Sequence, residues 1–414
     1  MNEPPKEDSN NSRFLTKPLI IIYITVFFDL VGFGILIPLL PFYAESFGAS
    51  PFATEMIFAV YSAMQFIFSP LLGSLSDKYG RRPILFFSLL GSVIGYLVLG
   101  FAGSLWMVFL GRIIAGITGG NISAAQAYIA DSTSKENRAK GMGLFGAMFG
   151  LGFVFGPAIG GILSRFGNNV PFLFAAVLAL GNAIALYFFL PESRKKSSVP
   201  QRGNRLKLLF STFINPKFTP LLLLYFLVVM SFSMLTASFA LYTMFQFGYD
   251  AEQNGFLFFY VGVLALIFQG VLFSRAVATF GERQVVVFGS FLLSISLFAV
   301  PLINPQHGGL PGLLIGMAVF TLGNALSTPA LSSLSSKIAD DDEQGRVLGT
   351  MQSAASLARA VGPLLGGVLL NNSLNKIDDF TLRRTFWTAS AIMFLAVLIA
   401  LSIAKKNRKT ELHA

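Results

Sequence analysis

The amino-acid sequence predicts an all-α membrane protein, with twelve transmembrane helices arranged as two pseudo-symmetric six-helix bundles. Three observations lead to this fold class: the apolarity of the chain, twelve apolar stretches of spanning length, and a repeat that relates the two halves. Of the 414 residues, 54% are hydrophobic and only 12% are charged, and the mean hydropathy is +0.68. Soluble domains carry about 25% charged residues, so this chain must bury its apolar surface in a membrane.

The apolar stretches follow one another along the chain with short polar loops between them. A transmembrane helix needs about 20 apolar residues, and we predict spans at 18–42, 55–75, 83–102, 105–130, 139–163, 171–190, 218–246, 253–275, 284–303, 311–336, 346–371 and 382–404. Residues 1–190 then form an N-terminal bundle, 191–217 a basic cytoplasmic linker, and 218–414 a C-terminal bundle with a cytoplasmic tail. Binding of anionic lipid or of a partner protein is the alternative role for the linker's basic cluster.

Basic residues fall mainly on one side of this topology. Most of the 30 Lys and Arg lie in alternate loops and at the two ends of the chain, and the opposite loops hold almost none before Lys376. The positive-inside rule therefore places both termini in the cytoplasm. The first residues lack the apolar core of a cleaved signal peptide. We therefore expect a multi-pass protein of the cell (inner) membrane, working as a monomer.

A pattern in the first half recurs in the second half at nearly constant spacing. The matching pairs are Ile129-Ala130-Asp131 with Ile338-Ala339-Asp340, Arg138 with Arg346, and Gly156-Pro157 with Gly362-Pro363. Internal duplication of this kind places a substrate site near the bilayer midplane, between two bundles that rock against each other.

Composition excludes several classes of function. The chain has no cysteine, and its two histidines, His307 and His413, lie in a predicted outer loop and in the tail. We therefore predict neither a disulfide nor a metal site. No Walker sequence is present, which argues against ATP-driven pumping. The expected protein is not an enzyme, needs no cofactor and binds no nucleic acid; its partners are a small-molecule substrate, protons and membrane lipid.

A basic turn joins the second and third predicted helices. The stretch Gly73–Leu85 reads GSLSDKYGRRPIL, and its polar part is long enough only for a tight turn at the membrane surface. Glycine permits such a turn, and the basic side chains favour the cytoplasmic side. An ordinary positive-inside turn accounts for the charges but not for the whole pattern. The candidate residues are Gly73, Asp77, Gly80, Arg81 and Arg82.

The fifth predicted helix carries a second motif, GLGFVFGPAIGGIL, between Gly150 and Leu163. Its proline kinks the helix, and its glycines form a small-residue face that allows close helix packing. A general packing motif explains the glycines but not their full spacing. The candidate residues are Gly152, Gly156, Pro157, Gly160 and Gly161.

Three charged residues lie inside predicted spans. Of the 20 Asp and Glu, only Asp29 falls deep within one. A lone carboxylate in hydrocarbon is costly, so it should face a cavity or a partner, and burial favours its neutral form. Asp29 is therefore a proton carrier or a contact for a cationic substrate; the alternative is a fixed charge that orders the bundle. Arg112 lies within about 7 Å of its depth and can pair with it. For Arg359, a backbone carbonyl, Asp29 and an anionic substrate group remain open as partners.

Polar and aromatic residues inside the spans are candidates for the lining of a substrate cavity. They are Tyr61, Gln65, Asn121, Gln126, Phe232, Phe239, Gln269, Asn324, Gln352 and Arg359. The chain also holds 44 phenylalanines, which suit an apolar pocket for flat amphipathic molecules.

The two motifs resemble those of the major facilitator superfamily. The turn after the second helix matches G-x-L-x-D-x-x-G-R-R/K, and the fifth helix matches G-x-x-x-G-P-x-x-G-G, a motif associated with antiporters. From Asp29 to about Gly161 the chain is similar to the tetracycline/proton branch of the twelve-helix drug:H⁺ antiporters. The resemblance implies proton-coupled efflux of a small amphipathic drug by alternating access, and hence a role in antibiotic resistance.

The resemblance also implies roles for individual residues. Asp29 and Arg112 become the proton-coupling pair, and Asp77, Arg81 and Asp131 become a charge network at the inner gate. Further acidic and histidine residues that help coupling in the second half of tetracycline exporters have no intramembrane counterparts here. The alternative function is a proton-independent facilitator or importer of a small metabolite. A non-transporting receptor or scaffold is a third, suggested by the basic linker alone.

Overall fold

The computed structural model describes residues 15–134, 137–193, 212–340 and 343–411. Within these ranges the chain is almost entirely helical, and strand pairing is limited to isolated bridges around Asn304 and His307. Eleven helical stretches of the described chain are long and apolar enough to cross a membrane, and one of them is 52 residues long. Because that stretch makes two crossings, the predicted all-α fold with twelve spans is confirmed.

The first six helices belong to the N-terminal half. They are α1 (Lys17–Glu45), α2 (Pro51–Tyr79), α3 (Arg81–Gly100), α4 (Leu105–Thr118 continued by Asn121–Ser132), α5 (Arg138–Ser164) and α6 (Val170–Phe189). The predicted linker 191–217 follows α6, and its residues 194–211 lie outside the described residues.

The other six helices belong to the C-terminal half. They are α7 (Thr219–Phe247), α8 (Ala251–Ile267 with a π-helical turn at Phe268–Leu272), α9 (the part of Phe273–Ala299 after Gly281), α10 (Gly309–Ile338), α11 (Gln344–Leu370) and α12 (Asp379–Glu411).

The break between α8 and α9 lies at Gly281, which has φ 76° and ψ 157°. A continuous helix of 52 residues would be ~78 Å long, more than twice the ~30 Å hydrocarbon core. Gly80, between α2 and α3, has a closely similar conformation, with φ 112° and ψ 159°. Both turns depend on glycine because positive φ is strained for residues that carry a Cβ.

Each half repeats the same packing pattern. In the N-terminal half α1 packs on α5 and α6, and α3 packs on α4 and α6; in the C-terminal half α7 packs on α11 and α12, and α9 packs on α10 and α12. The halves meet along two lines that are also related by the repeat, which we call the α5–α8 seam and the α2–α11 seam. The pseudo-symmetry predicted from the sequence therefore extends to the tertiary contacts.

The seams are tight at one face of the molecule. This predicted outer face contains the C-terminal ends of α5 and α11 and the N-terminal ends of α2 and α8. In the α5–α8 seam, a Cβ at Gly161 would lie 3.1 Å from the Cα of Gly255. In the α2–α11 seam, a Cβ at Gly367 would lie 3.3 Å from the ring of Phe52.

The same helices separate toward the predicted cytoplasmic face, which contains the α2–α3 turn. On α5, α8 and α11, a Cβ added at Gly146, Gly270 or Gly349 would meet no atom of the described chain within 4 Å. In the described part of the molecule the two halves are therefore in close contact at the predicted outer face, and these three positions nearer the other face lack such contacts.

Candidate functional site

Asp29 lies near the middle of α1, about 18 Å from the start of the helix at Lys17. Its side chain is partly accessible, and the polar group that interacts with its carboxyl is the side chain of Asn121 on α4. Both residues line a cavity of about 10 Å³ with Leu85 and Leu89 of α3. A cavity of this size holds about one water molecule. Asp29 therefore has a neutral polar partner in the membrane. Because it lies at the middle of α1, it is too far from either end of the helix to interact with the unpaired backbone groups there.

The break in α4 places Asn121 at this carboxyl. The helix is interrupted at Gly119 and Gly120, and Asn121 begins its second segment. An interruption leaves backbone groups without helical partners, which is costly away from water. Gln65 of α2 compensates by donating a hydrogen bond to the Gly119 carbonyl at 2.9 Å. The predicted cavity residue Gln65 is itself buried and supports the break.

Arg112 lies on an aromatic ring and not on the carboxylate. Its side chain is buried, with 2% exposed, and its guanidinium carbon lies 4.0 Å from the centroid of the Tyr61 ring. Nε of Arg112 has no hydrogen-bond partner among the described residues. Cation–π contact stabilises the guanidinium. The direct ion pair that we expected between Arg112 and Asp29 is not formed in this conformation, in which no ion pair within 4.0 Å joins these two described residues.

Tyr61 is also the meeting point for the arginine of the second half. Arg359 of α11 donates a hydrogen bond to Ser356 Oγ at 3.0 Å and interacts electrostatically with Tyr61 and with Tyr225 of α7. Asp29 and Arg112 also interact with Tyr61. The structure therefore assembles one carboxyl group and two guanidinium groups around a single phenol. Sequence reasoning missed Tyr225, because nothing in the sequence shows that α7 faces α11 at this depth.

The predicted aromatic residues of α7 lie in the C-terminal core. Phe239 is fully buried, and its ring makes an edge contact with Phe258 at 5.5 Å. Phe232 stacks on Phe320 at the same centroid distance of 5.5 Å. Phe239 therefore faces no open cavity in this conformation, because α7 packs on its neighbours over most of its surface.

The remaining polar candidates differ in exposure. Gln269 in the π-helical turn of α8 and Gln352 on α11 are exposed, whereas Gln126 on α4 is partly buried. Asn324 on α10 accepts a hydrogen bond from Thr328 Oγ1 at 3.1 Å. A role of these four side chains in substrate binding stays a prediction.

At the predicted cytoplasmic face, Arg81 joins two helices of the N-terminal half. Its guanidinium donates to Asp77 on α2 at 2.6 Å and to Asp131 at the end of α4 at 3.1 Å. Arg82 bonds the Tyr187 carbonyl and lies 5.5 Å from the Tyr187 ring centroid. The geometry brings together the charged residues that the resemblance grouped at the inner gate. Their role in gating stays a prediction. Gly73 lies partly exposed on α2, and its role also stays a prediction.

An acidic residue that sequence reasoning assigned to the linker caps α3. The backbone N–H groups of Arg81 and Arg82 donate to the Glu192 carboxylate at 2.9 and 3.1 Å. A carboxylate at a helix N-terminus satisfies unpaired N–H groups and interacts favourably with the helix dipole. A Cβ at Gly80 would lie 2.4 Å from Glu192 Oε2. Glycine at this position therefore serves both the turn and the cap.

We expect Gly80→Ala to destabilise the protein by about 1–3 kcal/mol, a typical cost of holding a residue in a strained backbone conformation. The added methyl group also displaces Glu192 from the start of α3. Thermal unfolding of the purified protein checks this expectation, with Gly103→Ala as the control, since a Cβ at Gly103 meets no described atom within 4 Å. Equal melting temperatures for the two variants would contradict it.

The second half contains a counterpart of this turn with its charges reversed. Glu282, directly after Gly281, pairs with Lys337 at the end of α10 and accepts a hydrogen bond from Ser333 at 3.2 Å. In the first half the turn supplies the cation, Arg81, and the end of α4 supplies the anion, Asp131. In the second half the turn supplies the anion and the end of α10 supplies the cation. The sequence of this turn departs from the pattern of the first one, but the tertiary arrangement recurs in both halves.

The glycines of the helix-five motif face two different helices. A Cβ at Gly152, Gly156 or Gly160 would lie 2.5 to 2.8 Å from atoms of α1. Gly161 instead touches α8, and the carbonyl of Pro157 would lie 2.6 Å from a Cβ at Gly255. The motif therefore packs α5 against the helix that carries Asp29 and also forms the α5–α8 seam. Its link to antiport stays a prediction.

A second acidic residue is buried in the membrane region. We expected Asp29 to be the only acid deep in a span, since Glu55 stands at the start of a predicted one. In the structure α2 begins at Pro51, four residues before Glu55, and the Glu55 side chain is nevertheless fully buried between helices. The sequence signal was the acidic residue itself within the apolar run that follows Pro51.

A surface groove is separate from these charges. It has a volume of about 400 Å³ and lies between α1 and α6, where Ile24, Phe28, Val177 and Phe189 line it. Ile24, Val177 and Phe189 are exposed on the outside of the helices, so this groove faces the surroundings of the bundle and not its centre.

The family model described as Major Facilitator Superfamily matches residues 22–307 and 221–413 of the chain. The chain belongs to the major facilitator superfamily. It is accordingly a multi-pass membrane protein of a transporter family, in agreement with the fold and with the predicted resemblance.

Relatives within this superfamily match nearly the whole chain. Tetracycline resistance protein, class H, of Pasteurella multocida is 31% identical over 93% of this chain and 96% of its own length. Multidrug resistance protein 1 of Bacillus subtilis (strain 168) is 31% identical over 94% of this chain and 96% of its own length. Both names describe resistance proteins, and the similarity extends over both halves of the fold.

Two solved structures show how widely the architecture is shared. The human organic anion transporter MFSD10 (TETRAN) has 26% sequence identity and a TM-score of 0.69, covering 93% of this chain and 99% of that one. The nucleoside transporter NupG has a TM-score of 0.78 with only 12% identity, and the match covers 93% of this chain and 99% of that one. The second comparison supports the fold alone.

Proposed function

We propose that this superfamily member exports a small amphipathic, drug-like compound in exchange for protons, by alternating access. The observation that carries the proposal is Asp29, a partly accessible carboxyl in the middle of the membrane whose partner is the neutral Asn121. A carboxyl without a cation in a low-dielectric site can gain and lose a proton as its surroundings change. The tetracycline and multidrug resistance relatives support export as the direction.

The contacts of Arg112 fit the proton-loaded step of such a cycle. An ionised Asp29 attracts a nearby guanidinium strongly in a low-dielectric site, yet Arg112 lies on Tyr61. This arrangement is the one expected when Asp29 is neutral. In the proposed cycle, substrate entering from the cytoplasm favours the ionised carboxyl and releases its proton, and a proton taken up from outside restores the neutral form.

The guanidinium groups bear on the chemistry of the substrate. Arg112 and Arg359 both interact with Tyr61 and, within the described chain, neither forms an ion pair within 4.0 Å. Two cations and one neutral carboxyl leave the centre of the site positive. We therefore propose that the substrate presents an anionic or strongly electron-rich group to Arg359 and places an apolar body against the aromatic residues.

The test uses purified wild-type protein in sealed vesicles whose predicted cytoplasmic face is outward. We expect an inward-acidic pH gradient to drive accumulation of amphipathic compounds such as tetracycline, and collapse of the gradient to stop it. Substrate counterflow that ignores the gradient would instead identify a proton-independent facilitator. The same vesicles, probed for access of a soluble label to the chain ends, test the proposed cytoplasmic location of both termini.

A further inference from the structure

A carboxyl group is enclosed between the two halves at the predicted outer face. Glu55 follows the start of α2 at Pro51 by four residues, and its side chain is 0% exposed. Its Oε1 accepts a hydrogen bond from Ser238 Oγ of α7 at 2.5 Å. Its other oxygen, Oε2, is buried without a hydrogen-bond partner among the described residues.

Helix α11 closes the other side of this pocket. A Cβ at Gly366 would lie 3.5 Å from Glu55 Cδ, and a Cβ at Gly367 would lie 3.0 Å from Glu55 Cβ. The side chain therefore fills the space that two glycines leave in α11. It contacts both halves of the protein, so opening of the α2–α11 seam would expose it to water.

No cation of the described chain faces this carboxyl. Helix α7 carries no charged residue between Thr219 and Phe247. On α11 the nearest charge is Arg359, about 10 Å from Gly366 along the helix. On α4, behind α2, the cation is Arg112, which lies on Tyr61, and the other charge is Asp131, which pairs with Arg81. Among the described residues, the side chain that interacts with the Glu55 carboxyl is the neutral Ser238.

We propose that Glu55 is a second proton-binding site of the transporter, and that its protonation permits the two halves to close at the outer face. An ionised carboxylate enclosed without a cation is strongly disfavoured. A neutral carboxyl hydrogen-bonded to Ser238 is compatible with the closed seam. Opening admits water, which stabilises the ionised form.

This proton differs from the one that is exchanged through Asp29. Glu55 meets water only at the outer face, so its proton enters and leaves on that side and is not carried across the membrane. The closed form binds the proton more tightly than the open form. By linkage, lowering the pH favours closure and raising it favours opening, by up to about tenfold in the closed-to-open ratio per pH unit for one proton.

The natural absence of cysteine permits a direct test. Ser104→Cys and Leu374→Cys place spin labels on exposed outer loops of the two halves. Their distance, measured by double electron–electron resonance in lipid nanodiscs over a pH series, reports the outer seams. We expect the short distance to dominate at low pH, and a longer one to grow as the pH rises. Glu55→Gln, which resembles the neutral carboxyl, should keep the short distance at every pH.

Glu45→Gln serves as the matched control, because Glu45 lies exposed at the outer end of α1, and it should retain the wild-type pH response. The proposal is overturned if the wild type shows no pH response, if Glu55→Gln keeps that response, or if Glu55→Gln stays open at every pH. Should the glutamine variant not fold, Glu55→Met supplies a side chain of similar length without a titratable group. Because the readout needs no substrate, it is independent of whether drug and proton exchange occurs.

Discussion

Asp29→Asn is expected to abolish substrate-induced proton release completely while the protein still folds. Asparagine preserves the size of the side chain and its contact with Asn121, but it cannot bind or release a proton. Because the carboxyl has no cationic partner within 4.0 Å in the described chain, removing its charge leaves no guanidinium unpaired. The structural cost should therefore be small, and the functional cost large.

The measurement is the pH change of a weakly buffered solution of purified protein when tetracycline or a related compound is added. Glu45→Gln is the matched control, because Glu45 lies exposed at the end of the same helix. The control should release protons as the wild type does. Release that persists in Asp29→Asn would assign coupling to another group and remove the main support of the proposed mechanism.

Gly156→Val should lower transport at least tenfold by separating α1 from α5. A Cβ at Gly156 would lie 2.7 Å from the Cα of Gly34 and 2.8 Å from the Val31 carbonyl oxygen. These are backbone atoms and cannot rotate away, so the helices must move apart. Overpacking of this kind costs about 1–3 kcal/mol of stability. It also shifts Asp29, which is carried by the displaced helix.

The control is Gly146→Val on the same helix, where an added side chain meets no described atom within 4 Å. Both variants introduce the same β-branched residue into a helix, so effects of helix propensity cancel. We expect gradient-driven uptake at least tenfold lower for Gly156→Val, equivalent to ~1.4 kcal/mol in the barrier, and near wild type for Gly146→Val. Equal activities would show that close α1–α5 packing is not required.

Much of the fold could be predicted because the bilayer constrains it strongly. Backbone groups in hydrocarbon must be satisfied within each segment, so each apolar stretch of about 20 residues becomes a helix. The turn at Gly80 was also predicted, since this glycine lies at a polar interruption between two apolar stretches. Asp29 stood out for the related reason that a carboxylate in such a stretch is costly.

Contacts between distant helices could not be predicted in this way. The sequence placed Arg112 within reach of Asp29, but only the tertiary structure shows that Tyr61 of α2 occupies that position and holds the guanidinium. Glu192 likewise lies about 110 residues from the turn that it caps, a separation that no local pattern records.

The sequence alone therefore determined the membrane location, the number of helices, the repeat and the acid in the middle of α1, because each follows from local hydropathy and spacing. The tertiary structure decided which side chains meet at the centre and which face is closed. It also showed that Glu55, at the edge of an apolar stretch, is enclosed by α7 and α11. The physical reason is that burial between helices depends on which faces pack together, and hydropathy along one helix does not specify its neighbours.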